Sequence, residues 1–265
     1  MLNIIKSQNY TFRRSKGTWI TIASMLIIPL FIIMLICRFE NTKFSDFTPS
    51  FYYGSQTMAE VAFIFLLCSM ILSCTAAGGD AGDKTINYEL INGHSRNKVF
   101  FSRIIVGIGW GVLFVLVFNV IPLVYLSLIN GWGDETSMRD VVLRSALAFF
   151  PILRISTFSM LIATVARSKG KGLGYGYTII MFWSLILSIL DEFGIKTNYL
   201  GAEYDLMYLF VSEKTRNVVI GGKSVTIFDT AVSGDSMTKL IIVSLALSLV
   251  YIIIGFIYFK KTDRD

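Results

Sequence analysis

Charged side chains, the groups most able to do chemistry, are concentrated in one segment that runs from Asp80 to Arg103. The same segment holds the only histidine of the chain, His94. Groups of these types could bind a nucleotide, transfer a proton or contact a soluble partner. Charged residues are only 16% of the chain, against roughly 25% in soluble domains. Their grouping therefore predicts that this segment meets something other than lipid.

The glycine-rich run that leads into Lys84 invites comparison with a phosphate-binding loop, but its chemistry is wrong. The pattern requires G-x-x-x-x-G-K-[ST], whereas Asp83 directly precedes the lysine here. Asp80 supplies a second carboxylate, and both would repel the phosphates. No strand can precede the run, because residues 61–77 are apolar enough to form a membrane helix. We expect no nucleotide-binding site in this chain and no other cofactor.

Other catalytic chemistry also lacks its residues. A single histidine excludes a metal site built on a pair of histidines and argues against a Ser-His-Asp site. The three cysteines, Cys37, Cys68 and Cys74, fall in or at the ends of apolar stretches without zinc or disulfide spacing, which indicates packing residues. We therefore expect that the chain is not itself an enzyme.

Arg154 is the exception among the apolar stretches, because it lies near the middle of the fourth one. A central arginine costs about 2.5–3.5 kcal/mol on insertion scales. One interpretation places it on a substrate path, where it meets an anionic substrate or an acidic partner. The other satisfies it with backbone carbonyls near the kink expected at Pro151.

Six apolar stretches predict an all-α integral membrane protein with six transmembrane helices in a single domain, residues 1–265. A helix needs about 20 apolar residues to cross a bilayer, and helices satisfy their own backbone groups in lipid. The first stretch is longer than a signal-peptide core and lacks a small-residue cleavage pattern, so we expect it to be retained. We place the spans at about 18–37, 58–79, 102–130, 140–166, 172–190 and 239–259.

The distribution of charge predicts the orientation. The two tails, the 80–103 segment and the 167–171 turn carry 14 Lys and Arg against 5 acids, whereas the opposite side carries 9 against 13. By the positive-inside rule, both termini and the 80–103 segment are cytoplasmic. The net charge of +6 is thus a signal of topology, and we expect no nucleic-acid partner.

Segments outside the spans have patterns of their own. At the N-terminus, the stripe Leu2, Ile5, Asn9 and Phe12 predicts an amphipathic interfacial helix, the alternative being a basic tail. A long external loop, 191–239, joins the last two spans.

Within that loop, residues 204–211 are apolar enough to dip into the outer leaflet as a re-entrant or interfacial piece. Residues 218–228 predict a hairpin with Gly221-Gly222 at its turn. The GxxxG pairs Gly107/Gly111 and Gly172/Gly176 are weak indications of close helix packing.

The charged segment carries a resemblance to a known family. Its string D-K-T-I-x-x-E-L-x-x-G-x-S-R-x-K-V-F-x-S-R, from Asp83 to Arg103, resembles the cytoplasmic loop between the second and third spans of ABC-2-type exporter permeases. Asn87 and Arg103 stand where that family commonly has Lys. The layout of six spans with a long loop before the last is similar as well, in the style of the bacteriocin and peptide exporters and lantibiotic-immunity permeases of Gram-positive bacteria.

The resemblance implies that this loop forms a coupling helix that docks on a separate ABC ATPase, which binds the ATP and Mg²⁺. We expect a first helix over 83–91, a turn at 92–95 and a second helix that begins at Ser95, an N-cap residue type. The residues expected to couple the ATPase are Asp83, Lys84, Glu89, Gly93, His94, Ser95 and Arg96.

The predicted function is the permease subunit of an ATP-driven exporter in the bacterial plasma membrane, paired with a second, identical or homologous permease. The substrate expected is a peptide or an amphipathic, lipid-like molecule. Two alternatives remain at this point. One is a membrane scaffold that recruits a soluble partner without transport, and the other is a channel or secondary carrier. The absence of carboxylates inside the predicted spans weakens the carrier interpretation.

Overall fold

The computed structural model describes residues 2–39, 48–54, 57–82, 93–210, 215–220, 223–228 and 233–261. In these ranges the regular secondary structure is helical apart from one hairpin. The helices are α1 (Leu2–Arg14), α2 (Lys16–Phe39), α3 (Pro49–Gly54), α4 (Thr57–Gly82), α5 (Arg96–Ile108), α6 (Phe114–Asn130), α7 (Met138–Leu147), α8 (Phe149–Ala166), α9 (Lys169–Glu192), α10 (Ala202–Phe210) and α11 (Gly234–Lys261). A π-helical segment, Gly109–Leu113, joins α5 to α6, and a 3₁₀ turn, Asn198–Leu200, precedes α10.

Three helical segments in the described part of the chain are long and apolar enough to cross a membrane. They are Met138–Ala166, Lys169–Glu192 and Gly234–Lys261, and the shorter apolar pieces are Lys16–Ile28, Phe63–Gly78 and Val120–Asn130. Each of the six overlaps one of the six predicted spans. The structure thus supports a helical membrane protein, and the count of six spans stays a prediction.

The helices run up and down and give the bundle two ends. We call the end that carries α3, the 131–137 loop and α10 the loop face, and the end that carries the 93–95 turn, the 167–168 turn and Lys261 the tail face. Contacts between distant segments fix both ends. At the loop face, Thr48 donates a hydrogen bond to the Glu135 carboxylate at 3.0 Å. At the tail face, a Cβ added at Gly78 would lie 2.8 Å from the Lys169 nitrogen, so α4 touches the start of α9.

α8 lies at the centre of the bundle and packs against α4, α9 and α11. Small residues bring the backbones together. A Cβ at Gly172 would lie 2.5 Å from the Cα of Ala163, and one at Gly107 would lie 2.7 Å from Met160. Both GxxxG pairs therefore mark close packing of helices, of which the pattern alone was only a weak indication.

The fourth predicted span is locally interrupted close to Pro151, where the sequence predicts a kink or a break in the hydrogen-bond ladder. α7 ends at Leu147 and α8 begins at Phe149, with Ala148 between them. Pro151 has no N–H to donate to the carbonyl of Leu147, four residues earlier, so the ladder of backbone hydrogen bonds is interrupted there.

The N-terminal helix is confirmed, although the buried stripe differs from the predicted one. Ile4, Gln8 and Phe12 face the bundle, whereas Leu2 is 73% exposed. The ring of Phe12 lies 4.9 Å from that of Trp110 in the π-helical segment. The position of α1 relative to a membrane stays a prediction.

The hairpin is also confirmed. Strand β1 (Thr215–Ile220) pairs antiparallel with β2 (Lys223–Phe228), and Val218 lies opposite Val225. The register places Gly221-Gly222 between the paired ends Ile220 and Lys223. The turn itself lies outside the described residues.

Candidate functional site

A buried ion pair joins α8 to α10 at the loop face. The guanidinium of Arg154 donates from Nη2 to Asp205 Oδ2 at 3.0 Å and from Nη1 to the Tyr199 carbonyl at 3.3 Å. Arg154 is 2% exposed and Asp205 is 8% exposed. The acidic partner and the carbonyl that sequence analysis offered as alternatives are thus both present, within the same chain. The carbonyl belongs to the 3₁₀ turn and not to the region of Pro151.

α10 is held against the bundle at both of its ends. Near its first turn, Asp205 binds Arg154. At its last turn, Arg144 of α7 donates from Nη1 to the Leu209 carbonyl at 3.0 Å, which satisfies a carbonyl at the helix C-terminus. Leu206 and Leu209 are buried between these two contacts. The piece expected to dip into the leaflet is therefore a helix packed against α4 and α8.

Asp205 titrates in an unusual range. Burial raises its pKa to about 7, while the charge of Arg154 acts to lower it and that of Glu203 to raise it further. A carboxyl group with this pKa can carry a charge or a proton near neutral pH. The predicted spans have carboxylates only near their ends, at Glu60 and Asp140, but α10 brings another one to Arg154 from the loop.

Next to the ion pair lies a cavity of about 270 Å³ between α8, α9, α10 and α11. We call it the aromatic cavity. Phe158, Trp183 and Tyr251 contribute rings to its lining, and Arg154 and Glu203 contribute the charged groups. Glu203 Oε1 accepts a hydrogen bond from the Ser184 hydroxyl at 2.6 Å, so α9 orients this carboxylate.

At the tail face, the structure describes four of the seven predicted coupling residues. Gly93 adopts a left-handed φ of +81°, as a turn residue would. Ser95 is the N-cap of α5, although its side chain makes no capping hydrogen bond. His94 and Arg96 are half-buried. Asp83, Lys84 and Glu89, and with them the first predicted helix, lie outside the described residues.

The start of α5 is fastened to the end of α11. Arg96 Nη1 donates to the Lys260 carbonyl at 3.1 Å. Behind it lie four rings that we call the phenylalanine cluster, with centroids 5.3–5.6 Å apart: Phe100, Phe101, Phe256 and Phe259. The first turns of α5, which follow the predicted coupling residues, are therefore packed directly on the last helix, α11.

The family comparison bears directly on this architecture. The family described as ABC-2 family transporter protein matches residues 5–186 of the chain. The chain belongs to this family. The match includes the predicted coupling segment and Arg154, whereas Asp205, Glu203 and α11 lie beyond it. No curated protein matches the chain.

The ABC-2 family assignment supports a membrane transport protein, and the described residues fit that role. Among them, no group of three or more His, Cys, Asp or Glu side chains could hold a metal ion. The charged and aromatic groups instead cluster in the aromatic cavity and at the α5–α11 contact.

Sequence reasoning identified Arg154 but missed Asp205, Glu203, Trp183 and Tyr251. One signal was available. Glu203 and Asp205 are the carboxylates of an apolar piece, 202–210, and the fourth stretch holds a deep arginine that needs a counter-charge. Matching the two would have predicted the ion pair.

Proposed function

We propose that this ABC-2 family protein is the membrane subunit of an ATP-driven exporter. It has six spans in the bacterial plasma membrane and both termini in the cytoplasm. It pairs with a second permease, identical or homologous. A separate ABC ATPase, which binds ATP and Mg²⁺, docks on the coupling segment that ends at Arg96. The exported molecule is a peptide or an amphipathic, lipid-like compound.

The family match over residues 5–186 carries this proposal. The geometry of the tail face supports the coupling part of it. Because Val99 and Phe100 are buried directly after the Gly93–Arg96 turn, a force on the coupling segment would pass into α5 without a flexible joint. Through Arg96 and the phenylalanine cluster it would reach α11, whose Tyr251 lines the aromatic cavity.

The test pairs the purified chain with the ABC ATPase that co-purifies with it from its own cells, both reconstituted in liposomes. We expect the chain to stimulate ATP hydrolysis. Replacing both Glu89→Ala and Arg96→Ala should weaken capture of the ATPase about tenfold, equivalent to about 1.4 kcal/mol. Export would be read as ATP-dependent movement of labelled amphipathic peptides.

Lys98→Ala is the matched control, because Lys98 is an exposed cation two residues beyond Arg96. It removes one positive charge, as Arg96→Ala does, and leaves the contact of Arg96 with the Lys260 carbonyl in place. Thermal unfolding of each variant shows whether the bundle stays intact. If ATPase capture survives the Glu89 and Arg96 substitutions in a folded protein, docking through this segment is wrong.

A further inference from the structure

We propose that the aromatic cavity binds a small organic monocation, an ammonium group attached to an apolar body. Binding needs only this chain. That the bound molecule belongs to the exported class rests in addition on the function proposed above. Three features of the cavity support this proposal: its size and position, its charge and its aromatic lining.

The cavity has the size and position of a ligand site. Its volume of about 270 Å³ suits a ligand that carries one aromatic ring or a short aliphatic chain. Ile155, Ile179 and Ile180 add apolar surface to the lining. Ligand sites of this kind combine mostly apolar walls with a few polar groups that fix orientation.

The charge of the lining favours a cation. The charge of Arg154 is neutralised by Asp205 at 3.0 Å. The carboxylate of Glu203 is then the remaining charge in the lining of the cavity. The charge of Glu203 acts on Arg154, Asp205 and Tyr251, so the three groups lie within its electrostatic reach. The nearby cation Lys239 is exposed and is paired with Asp235 at 2.6 Å.

Local structure positions the carboxylate of Glu203. It lies in the first turn of α10, where the helix dipole stabilises negative charge. The Ser184 hydroxyl donates to it at 2.6 Å. A carboxylate that is oriented in this way, at the edge of an apolar cavity, provides a counter-charge for an ammonium group.

The rings supply the second element of cation recognition. Trp183 is held by its Nε1, which donates to the Leu200 carbonyl at 3.3 Å. Phe158 and Tyr251 form an edge-to-face pair with centroids 5.4 Å apart. Faces of Trp and Tyr attract ammonium groups, by about 2 kcal/mol or more where water is excluded.

The same geometry disfavours an anion. The guanidinium of Arg154 already donates to Asp205 and to the Tyr199 carbonyl. An anionic ligand would compete with the Asp205 carboxylate for the guanidinium and would also be repelled by Glu203. The anionic-substrate interpretation of Arg154 is therefore replaced by a structural one, in which Arg154 positions α10 beside the cavity.

The test uses three probes of nearly equal shape: 2-phenylethylammonium, 2-phenylethanol and 3-phenylpropionate. The full chain is placed in phosphatidylcholine nanodiscs at pH 8, without ATPase, and binding is measured by titration calorimetry and by Trp fluorescence. We expect the cation to bind at least tenfold more tightly than the alcohol, and the acid to bind least. Equal affinities, or a preference for the acid, would overturn the proposal.

Variants locate the effect. Glu203→Gln keeps an acceptor for Ser184 and should abolish the preference for the cation. Glu192→Gln removes one charge from an exposed position at the end of α9 and should leave the preference intact. Trp183→Leu should weaken binding of the cation without altering the charge of the cavity. It serves as the second test if the Glu203→Gln protein does not fold. The proposed site is wrong if the preference for the cation persists in a folded Glu203→Gln protein. It is also wrong if Glu192→Gln removes that preference.

The outcome is separable from that of the proposed function. Cation binding without ATPase stimulation would leave this site in place and remove the exporter proposal. ATPase stimulation without any charge preference among the three probes would support the exporter proposal and remove the cation site.

Discussion

The two faces of the bundle are held together by different interactions. At the loop face, Arg154 and Asp205 form a buried pair whose members depend on each other. At the tail face, the four rings of the phenylalanine cluster share their contacts among several neighbours. Loss of one member of a charge pair leaves the other buried without its counter-charge, whereas loss of Phe100 still leaves the rings of Phe101 and Phe256 in contact. The loop face is therefore expected to be more sensitive to a single substitution than the tail face.

The largest effect is expected from Asp205→Asn. It leaves the guanidinium of Arg154 buried without its counter-charge, and breaking a buried pair costs about 3–5 kcal/mol. Arg154→Gln should cost less, because the carboxyl group left behind can take up a proton and become neutral. Thermal and denaturant unfolding of the purified variants will rank the two.

The exposed pair of Asp235 and Lys239 serves as the control for that ranking. Its nitrogen and oxygen lie 2.6 Å apart in solvent, and Asp235→Asn should leave unfolding unchanged. The double variant Arg154→Met with Asp205→Leu should recover much of the lost stability. Equal losses for Asp205→Asn and Arg154→Gln would show that the charges are not what holds α10.

A smaller effect is expected at the tail face. Phe100→Ala removes the ring that contacts the other three of the phenylalanine cluster, and should cost about 2 kcal/mol, below the 3–5 kcal/mol of soluble cores because lipid also solvates apolar groups. Phe100→Leu should cost less than about 1.5 kcal/mol. Unfolding measurements check the magnitudes, and a Phe100→Leu protein as unstable as Phe100→Ala would mean that ring geometry, not volume, is essential.

The sequence could predict features that depend on local patterns. Runs of apolar residues indicated the helices, and the Gly93–Ser95 turn and the 218–228 hairpin followed from their residue types. These features need only a residue and its close neighbours. The family resemblance rested on a single charged loop, and the family match over 5–186 confirms it at the level of the family.

Features that depend on distant contacts escaped prediction. Arg154 and Asp205 are 51 residues apart, and their pairing requires that α10 fold back onto α8. The face that α1 buries depends on Trp110, whose Nε1 donates to Asn9 Oδ1 at 2.9 Å.

The π-helical segment Gly109–Leu113 has a consequence for comparing this chain with its relatives. An α-helix turns by about 100° per residue, and a π segment accommodates one additional residue in a turn. Removing that residue would rotate α6 by about 100° and carry Leu123 and Leu126, now buried, away from the core. A relative whose third span is a continuous α-helix should align with this chain only through a one-residue gap between Gly109 and Leu113. Without that gap, each α6 position would be matched to a residue on the wrong side of the helix.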